Sequence, residues 1–159
     1  MKNLEPFRAF IEVTAQCNGK IVNYANISRD VGLDDKTIKN YYSVLEDTLL
    51  GFYLPAYHKS IRKGQAAHPK FYFFDTGIKR AIERTLQDRF SPQSYTYGDA
   101  FEHLVILEFY RLNSYWNLDY KLSFFQTKES KEIDLILSRG RKIIAIKNAR
   151  PYQKKKSKL

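Results

Sequence analysis

Apolar residues recur at helical spacing in the first third of the chain and predict three helices. The first covers residues 6–16, and the second is a short helix that follows an Asn23 cap. The third runs from an Asp34 or Asp35 cap to Leu50 and keeps one continuous apolar face. The chain therefore begins with a small helical unit.

Two aromatic-rich runs, residues 52–57 and 70–74, predict a β-hairpin around a basic, glycine-containing loop at 59–69. Three helices followed by such a hairpin form the layout of a winged helix-turn-helix, in which residues 36–50 are the recognition helix. A further helix is predicted over residues 75–87. The N-terminal part is therefore interpreted as a winged-helix domain.

The polar segment 87–97 predicts a domain boundary. It separates a winged-helix domain at residues 1–90 from a second domain at 98–150, which a basic tail at 151–159 follows. The fold class predicted for the whole chain is α+β.

The second domain is predicted to have the order α-β-β-β. Its segments are a long helix followed by three strands, at residues 99–113, 121–127, 132–137 and 141–147. The second strand alternates, which predicts one face with Ile133, Leu135 and Leu137 and another with Glu132, Asp134 and Ile136.

Positive charge is concentrated in two parts of this chain of 159 residues, whose net charge is +10. Residues 135–159 contain nine basic and no acidic side chains, and the acid-free stretch 51–74 contains Lys59, Arg62, Lys63 and Lys70. Such clusters suit a polyanion, although a solvated basic surface that binds nothing specifically explains them equally well.

The sequence also narrows the location of the protein. Its apolar runs are too short to cross a bilayer, and no secretory segment opens the chain, so a cytoplasmic protein without membrane contact is expected. A single cysteine, Cys17, excludes an intramolecular disulfide and a CxxC metal site.

Several short phrases occur together in a recognisable order. They are NYANIS at 23–28, KTIKNYY at 36–42, LEDTLLG at 45–51, SIRK at 60–63, PKFYFFDTG at 69–77, GDAFE at 98–102 and EIDLI at 132–136. With them, residues 7–147 resemble the domain of unknown function found at the C-terminus of many prokaryotic AAA+ ATPases. The resemblance implies a winged helix followed by a region similar to the PD-(D/E)XK nuclease fold, after an ATP-binding domain.

Two departures from that pattern matter. The chain has no GxxxxGK[ST] segment that could cradle a triphosphate, and it stops twelve residues after Lys147, where the nuclease-like fold continues with a helix and a strand. We therefore expect a truncated or split gene product whose AAA+ ATPase domain is encoded separately. We also expect the uncovered sheet to expose an apolar patch or an open strand edge.

The resemblance also implies a nuclease-like site. Asp134 matches the strand aspartate, Lys147 the lysine and Glu102 the helix acid, while Ala145 stands where the family's ExK motif has a glutamate. With that carboxylate missing, Mg²⁺ bound to Asp134 and Glu102 would be held weakly, and Glu132 on the same face is a weak replacement. A degenerate, inactive site is predicted, with no cofactor other than Mg²⁺ if the site is active.

Plainer interpretations of the same residues remain open. Asp134 and Glu132 also suit the polar face of a half-exposed strand, and Glu102 suits the first turn of its helix. The three histidines lack metal-ligand spacing and are expected in loops or on the surface: His58, His68 and His103. Residues 71–74 are expected to build a core.

Three functions are compatible with these features. The leading one is a non-catalytic accessory module that binds DNA or protein through its winged helix. Its candidate nucleic-acid-binding residues are Lys36, Thr37, Lys39, Asn40 and Ser43 on the recognition helix and Arg62 and Lys63 in the wing. The alternatives are a Mg²⁺-dependent DNA nuclease and a stand-alone winged-helix regulator, which predicts a homodimer on a palindromic operator.

Overall fold

The structure, a computed structural model, describes residues 4–58, 60, 67–92, 94–127, 129 and 131–147. The predicted mixture of helix and sheet, α+β, is confirmed. Arg62 and Lys63, proposed as wing residues, and the basic tail at 151–159 lie outside the described residues.

The N-terminal unit contains the three predicted helices: α1 (Glu5–Gln16), α2 (Tyr24–Val31) and α3 (Asp35–Asp47). The predicted caps form, because the Asn23 side chain accepts from the Asn26 N–H and the Asp34 side chain from the Thr37 N–H, both at 3.0 Å. Helix α3 ends three residues before the predicted Leu50. At this point the chain turns, with a left-handed residue at position 49, into the first strand.

The hairpin consists of β1 (Gly51–Leu54) and β2 (Lys70–Phe73), which pair antiparallel from Gly51 opposite Phe73 to Leu54 opposite Lys70. Its two faces are both buried, which is the arrangement expected of a strand pair with packed layers on each side. Side chains of alternating residues therefore enter two different cores.

The first core lies between the hairpin and the three helices. Edge-to-face aromatic contacts dominate it, such as Phe10 against Tyr42 and Tyr42 against Phe71, with ring centroids 5.0 Å and 4.9 Å apart. Its buried members are Phe10, Ala15, Val22, Ile27, Ile38, Tyr42, Leu45, Phe71 and Phe73. The prediction that the aromatic run at 71–74 builds a core is confirmed for Phe71, Tyr72 and Phe73, which are all buried.

Two further helices follow, α4 (Thr76–Ile82) and α5 (Tyr95–Tyr115). Helix α4 ends five residues before the predicted position, and α5 begins four residues earlier than predicted. The early start has a local cause, since the Ser94 hydroxyl oxygen accepts from the Tyr97 N–H at 3.1 Å. Glu102 therefore lies inside α5 and not in its first turn.

The second sheet contains β3 (Lys121–Gln126), β4 (Glu132–Arg139) and β5 (Lys142–Ile146), all antiparallel and in that order. It joins the hairpin through a parallel bridge between Ala56 and Phe124, supported by the Phe124 N–H donating to the Pro55 carbonyl oxygen at 3.0 Å. The second core fills the space between this sheet, the hairpin and α5. Its buried members are Phe52, Leu54, Tyr72, Ile106, Leu107, Phe124 and Leu135.

The predicted alternation of β4 is wrong at one point. Ser123 lies opposite Ile136 and Phe125 opposite Ile133, so two steps along β3 correspond to three along β4. The extra residue on β4 is a β-bulge, which shifts the faces by one residue. As a result Glu132, opposite Gln126, lies on the same side of the sheet as the core residue Leu135.

None of the helices in the described residues combines the length and the apolar character needed to cross a lipid bilayer.

Candidate functional site

A buried ion cluster lies where the hairpin, α5 and β4 meet. The ammonium of Lys70 is 3.2 Å from Glu102 Oε1 and 2.5 Å from Glu132 Oε1. The Glu132 contact is an ion pair without hydrogen-bond geometry. Only 4% of the Lys70 side chain and 8% of the Glu102 side chain are exposed, so both charges are almost fully removed from water. We call Lys70, Tyr72, Glu102 and Glu132 the lysine–glutamate cluster.

Tyr72 completes this cluster as a neutral donor. Its hydroxyl donates to Glu102 Oε1 at 2.8 Å, the same oxygen that Lys70 contacts. Burial, followed by the nearby Glu102 carboxylate, raises the pKa of Tyr72 well above its usual value, and Glu132 and Asp134 act in the same direction. The phenol therefore keeps its proton at physiological pH.

The positions of these residues follow from strand and helix periodicity. Lys70 and Tyr72 are two residues apart on β2, so their side chains lie on the same face of the hairpin, the face towards α5. On α5, Glu102 belongs to the same buried face as Ile106. The Lys70 ammonium also lies 5.4 Å from the centre of the Phe124 ring, a cation–π contact with β3.

A cavity of about 370 Å³ adjoins the cluster and opens to the surface. Lys70, Tyr72, Glu102 and Glu132 line its inner wall, while Lys20 and Asp99 line its outer part. The cavity thus combines acidic and basic side chains.

His103 forms a second buried polar network beside the cluster. Its Nε2 donates to the Phe73 carbonyl oxygen at 2.6 Å, because a carbonyl can only accept, and its Nδ1 therefore accepts from Asn18 Nδ2 at 3.3 Å. The Phe73 N–H in turn donates to Asn18 Oδ1 at 2.9 Å. The network links the end of α1, strand β2 and helix α5.

Burial lowers the pKa of His103 from 6.5 to about 4, so the ring is neutral at physiological pH. The prediction that this histidine lies in a loop or on the surface is wrong: only 1% of it is exposed. The other two, His58 and His68, are exposed as predicted.

The residues of the predicted nuclease-like site are only partly brought together. Glu102 and Asp134 are both buried, and both act on the ionisation of Tyr72. Lys147 is exposed just after the end of β5, and Ala145 is exposed opposite Ile136. Three carboxylates, those of Glu102, Glu132 and Asp134, thus raise the pKa of Tyr72 in the second core.

The described residues do not fit a Mg²⁺ site as they stand. Within them, no group of three or more histidine, cysteine, aspartate or glutamate side chains is arranged to hold a metal ion. Mg²⁺ requires an octahedron of oxygens at roughly 2.0–2.1 Å, whereas the Lys70 ammonium already contacts an oxygen of Glu102 and one of Glu132.

The candidate nucleic-acid-binding residues of α3 differ in accessibility. Lys36, Lys39, Asn40 and Ser43 are exposed along its outer side. Thr37 is half-buried and has a local role, because its Oγ1 donates to Asp34 Oδ2 at 2.6 Å and its N–H donates to Asp34 Oδ1. These hydrogen bonds, first the one from the Thr37 hydroxyl, lower the pKa of Asp34.

Sequence reasoning missed Lys70, Tyr72 and Asn18 as members of polar networks. The sequence groups Lys70 with the other basic residues of the acid-free stretch 51–74, yet only 3% of it is exposed. One signal was present: Lys70 directly precedes the apolar run Phe71–Phe74, where a strand with two buried faces would also bury its first residue.

Two family models match the chain. Residues 1–89 match the domain of unknown function DUF8612, and residues 97–157 match the domain of unknown function DUF4143. The second of these is known as a C-terminal domain of AAA-type ATPases. No curated protein and no solved structure matches the chain. Because the first model spans 89 of the 159 residues, the chain belongs to the family of the domain of unknown function DUF8612.

Proposed function

We propose that the chain is a non-catalytic binding module that works with an AAA-type ATPase and contacts DNA through α3. The observation that carries the non-catalytic part is the position of Lys70. Its ammonium lies against Glu102 and Glu132, two of the acids that would otherwise serve a nuclease-like site. With the ammonium beside them, these two carboxylates have less net negative charge to offer a divalent cation.

The ATPase part of the proposal is supported by the match of residues 97–157 to a domain known from the C-termini of AAA-type ATPases. No P-loop segment occurs within these 159 residues, and in this proposal the ATP-binding domain is encoded next to them. A reading frame with a P-loop next to this gene, whose product co-purifies with the chain, is the expected result. Neighbouring genes without a P-loop, together with failure to co-purify, would count against this part.

The DNA contact is supported by the outer side of α3. Lys36 and Lys39 are one helical turn apart, and Asn40 and Ser43 continue the same exposed side, which suits backbone and base contacts in a groove. In this proposal the three helices and the hairpin act as a winged helix, with α3 as the recognition helix.

The test is a DNA shift assay on the full chain at several salt concentrations. The slope of log affinity against log salt is negative, because bound phosphates release counterions. If Lys36 and Lys39 each contact a phosphate, the double variant Lys36→Glu/Lys39→Glu should make this slope shallower by about 2. The matched control is Lys121→Glu/Lys131→Glu, which changes two exposed lysines, one in β3 and one just before β4, by the same charge. Equal losses in both variants would indicate a general charge effect and would refute the assignment to α3.

A Mg²⁺-dependent nuclease is the second candidate, because Glu102, Glu132 and Asp134, the acids named for the nuclease-like site, all act on the ionisation of Tyr72. Incubation of the chain with plasmid and Mg²⁺, beside the Asp134→Ala variant, decides between the two functions. The binding-module proposal expects no cleavage by either protein. Cleavage by the unmodified chain that Asp134→Ala abolishes would establish the nuclease instead.

A further inference from the structure

The outer edge of β5 has no role in the proposed function. On one side β5 pairs with β4 from Arg139 opposite Lys142 to Leu135 opposite Ile146. Within the residues that the structure describes, no strand pairs with its other side. Ile143 is 53% exposed and Ile144 37% exposed, although β4 beside them is largely buried.

An unpaired strand edge binds other segments through its main-chain groups. It presents a row of N–H and C=O groups that an extended segment satisfies by pairing as a further strand. Ile144 lies opposite Leu137, and Ile146 packs against the second core, so this face of β5 continues the apolar face of the sheet. An added strand would therefore need apolar residues at alternating positions.

The charges at the ends of β5 also restrict which strand can pair with it. Arg141, Lys142 and Lys147 bracket the strand, and residues 135–159 contain no acid. Arg139 and Lys142 are held in place next to Tyr120, with the guanidinium 4.6 Å and the ammonium 5.8 Å from the ring centre. The edge thus has an apolar middle with fixed positive charge at one end and a lysine at the other.

A second copy of the chain is a poor occupant for this edge. In an antiparallel pair centred on Ile144, Arg141 of one copy would lie opposite Lys147 of the other, and a parallel pair would put Lys142 beside its equivalent. Like charges directly opposite each other in a sheet are destabilising. A strand with acidic ends meets the same edge with opposite charge at both ends.

We propose that the outer edge of β5 binds an extended segment of a partner protein, whose middle alternates apolar residues and whose ends are acidic. The segment extends the second sheet by one strand and covers Ile143 and Ile144. This inference is independent of DNA binding by α3, so either can fail without the other.

The probe is a fluorescent peptide with a Val-Thr-Ile-Thr-Val middle and an Asp-Glu pair at each end, measured by anisotropy with the full chain. A second peptide carries lysines in place of the four acids, and a third has N-methyl groups on its middle residues. We expect the acidic peptide to bind at least tenfold more tightly than the lysine peptide. We also expect N-methylation to abolish binding, because it removes the main-chain donors.

Two protein variants locate the contact. Ile144→Lys should weaken binding of the acidic peptide at least tenfold, whereas Tyr115→Lys, which adds the same charge at an exposed aromatic residue on α5, should leave it unchanged. Lys142→Glu/Lys147→Glu should reverse the preference in favour of the lysine peptide. A circular-dichroism melt of each variant establishes that it is folded.

Three results would overturn the proposal. They are equal binding of the acidic and lysine peptides, binding that survives N-methylation, and binding that Ile144→Lys does not change. Concentration-dependent dimerisation in sedimentation, abolished by Ile144→Lys, would identify a second copy as the occupant and would likewise refute a partner with acidic ends.

Discussion

The hairpin separates two cores of different chemistry. On the helical side the buried side chains are apolar and aromatic, with Thr14 as the one buried polar residue among those described. On the other side, next to an equally apolar core, the structure buries a lysine, two acids and a histidine: Lys70, Glu102, Asp134 and His103.

This difference between the two cores separates the contributions of side-chain volume and of side-chain charge to stability. An apolar core accepts many combinations of side chains as long as volume and pattern are kept. A buried ion pair adds little to stability by itself, but removing one partner strands the other charge at high cost. The second core should therefore respond sharply to single charge changes and to pH, while the first should respond mainly to changes in volume.

The largest effect is expected from Lys70→Met, which removes the ammonium that Glu102 and Glu132 share. Loss of one partner from a buried pair lowers the free energy of unfolding by about 3–5 kcal/mol. Urea unfolding followed by circular dichroism measures the change. The matched control is Lys79→Met at the ion pair with Glu83 on α4, which is more exposed and should lose less than about 1 kcal/mol.

The triple variant Lys70→Met/Glu102→Met/Glu132→Met sharpens the result. Replacing a whole buried ion cluster by apolar residues is close to neutral, so the triple variant should recover most of the stability that Lys70→Met loses. If the triple variant is less stable than Lys70→Met, the cost does not come from stranded charge.

The second effect is a dependence of stability on pH that comes from His103. Its pKa is about 4 in the folded chain and 6.5 without burial, so the unfolded chain binds the extra proton first as pH falls. Stability due to the neutral ring is complete above pH 6.5 and is lost between pH 6.5 and 4, by up to about 3 kcal/mol. The groups that also act on the ring are the main chain of Phe73 and the charges of Lys79, Asp75 and Glu102.

Unfolding by urea at pH 7 and pH 4.5 measures this loss. His103→Gln removes the titration and should flatten the difference, whereas His58→Gln, at an exposed histidine, should leave it as in the unmodified chain. A pH dependence that is unchanged in His103→Gln would assign it to other groups.

Gly51→Ala should cause the third effect, at the point where both cores meet. A Cβ there would lie 2.3 Å from Cζ of Phe71 and 2.7 Å from the Tyr72 carbonyl oxygen. Because a main-chain atom cannot move aside cheaply, we expect a loss of about 1–3 kcal/mol in unfolding free energy. A loss below the error of a thermal melt would mean that the hairpin and its cores adjust freely.

The smallest effect has the opposite sign. Gly98 lies in α5, and a Cβ there would meet nothing within 4 Å. Gly98→Ala should therefore stabilise the chain by roughly 0.5–1 kcal/mol, since alanine has the higher helix propensity. The same denaturation measurement checks it, and destabilisation would show that α5 needs glycine for a contact outside the described residues.

Local signals predicted much of the fold. The caps at Asn23 and Asp34 and the period of the apolar residues were enough to place α1, α2 and α3, because these features act within a few residues of the chain. The start of α5 was missed because the Ser94 cap lies inside a polar segment that was interpreted as a boundary.

The candidate site was harder to predict because it depends on contacts between distant parts of the chain. Lys70 and Glu102 are 32 residues apart, and only the tertiary fold determines that the lysine turns inwards. The bulge in β4 likewise depends on a contact with another part of the chain. A strict alternation put Glu132 and Leu135 on opposite faces, and only the register against β3 reveals the extra residue. The family resemblance points to Glu102 and Asp134 as site residues, but it gives no role to Lys70, which lies between Glu102 and Glu132.

The two-sided burial of the hairpin has a consequence for synthesis of the protein. Strands β1 and β2 leave the ribosome before α5 and the second sheet, so the helical layer can close over its face of the hairpin first. Until translation reaches β4, the Phe52, Leu54 and Tyr72 side faces water. We expect nascent chains arrested near residue 90 to be held by general chaperones, and completed chains to be released from them.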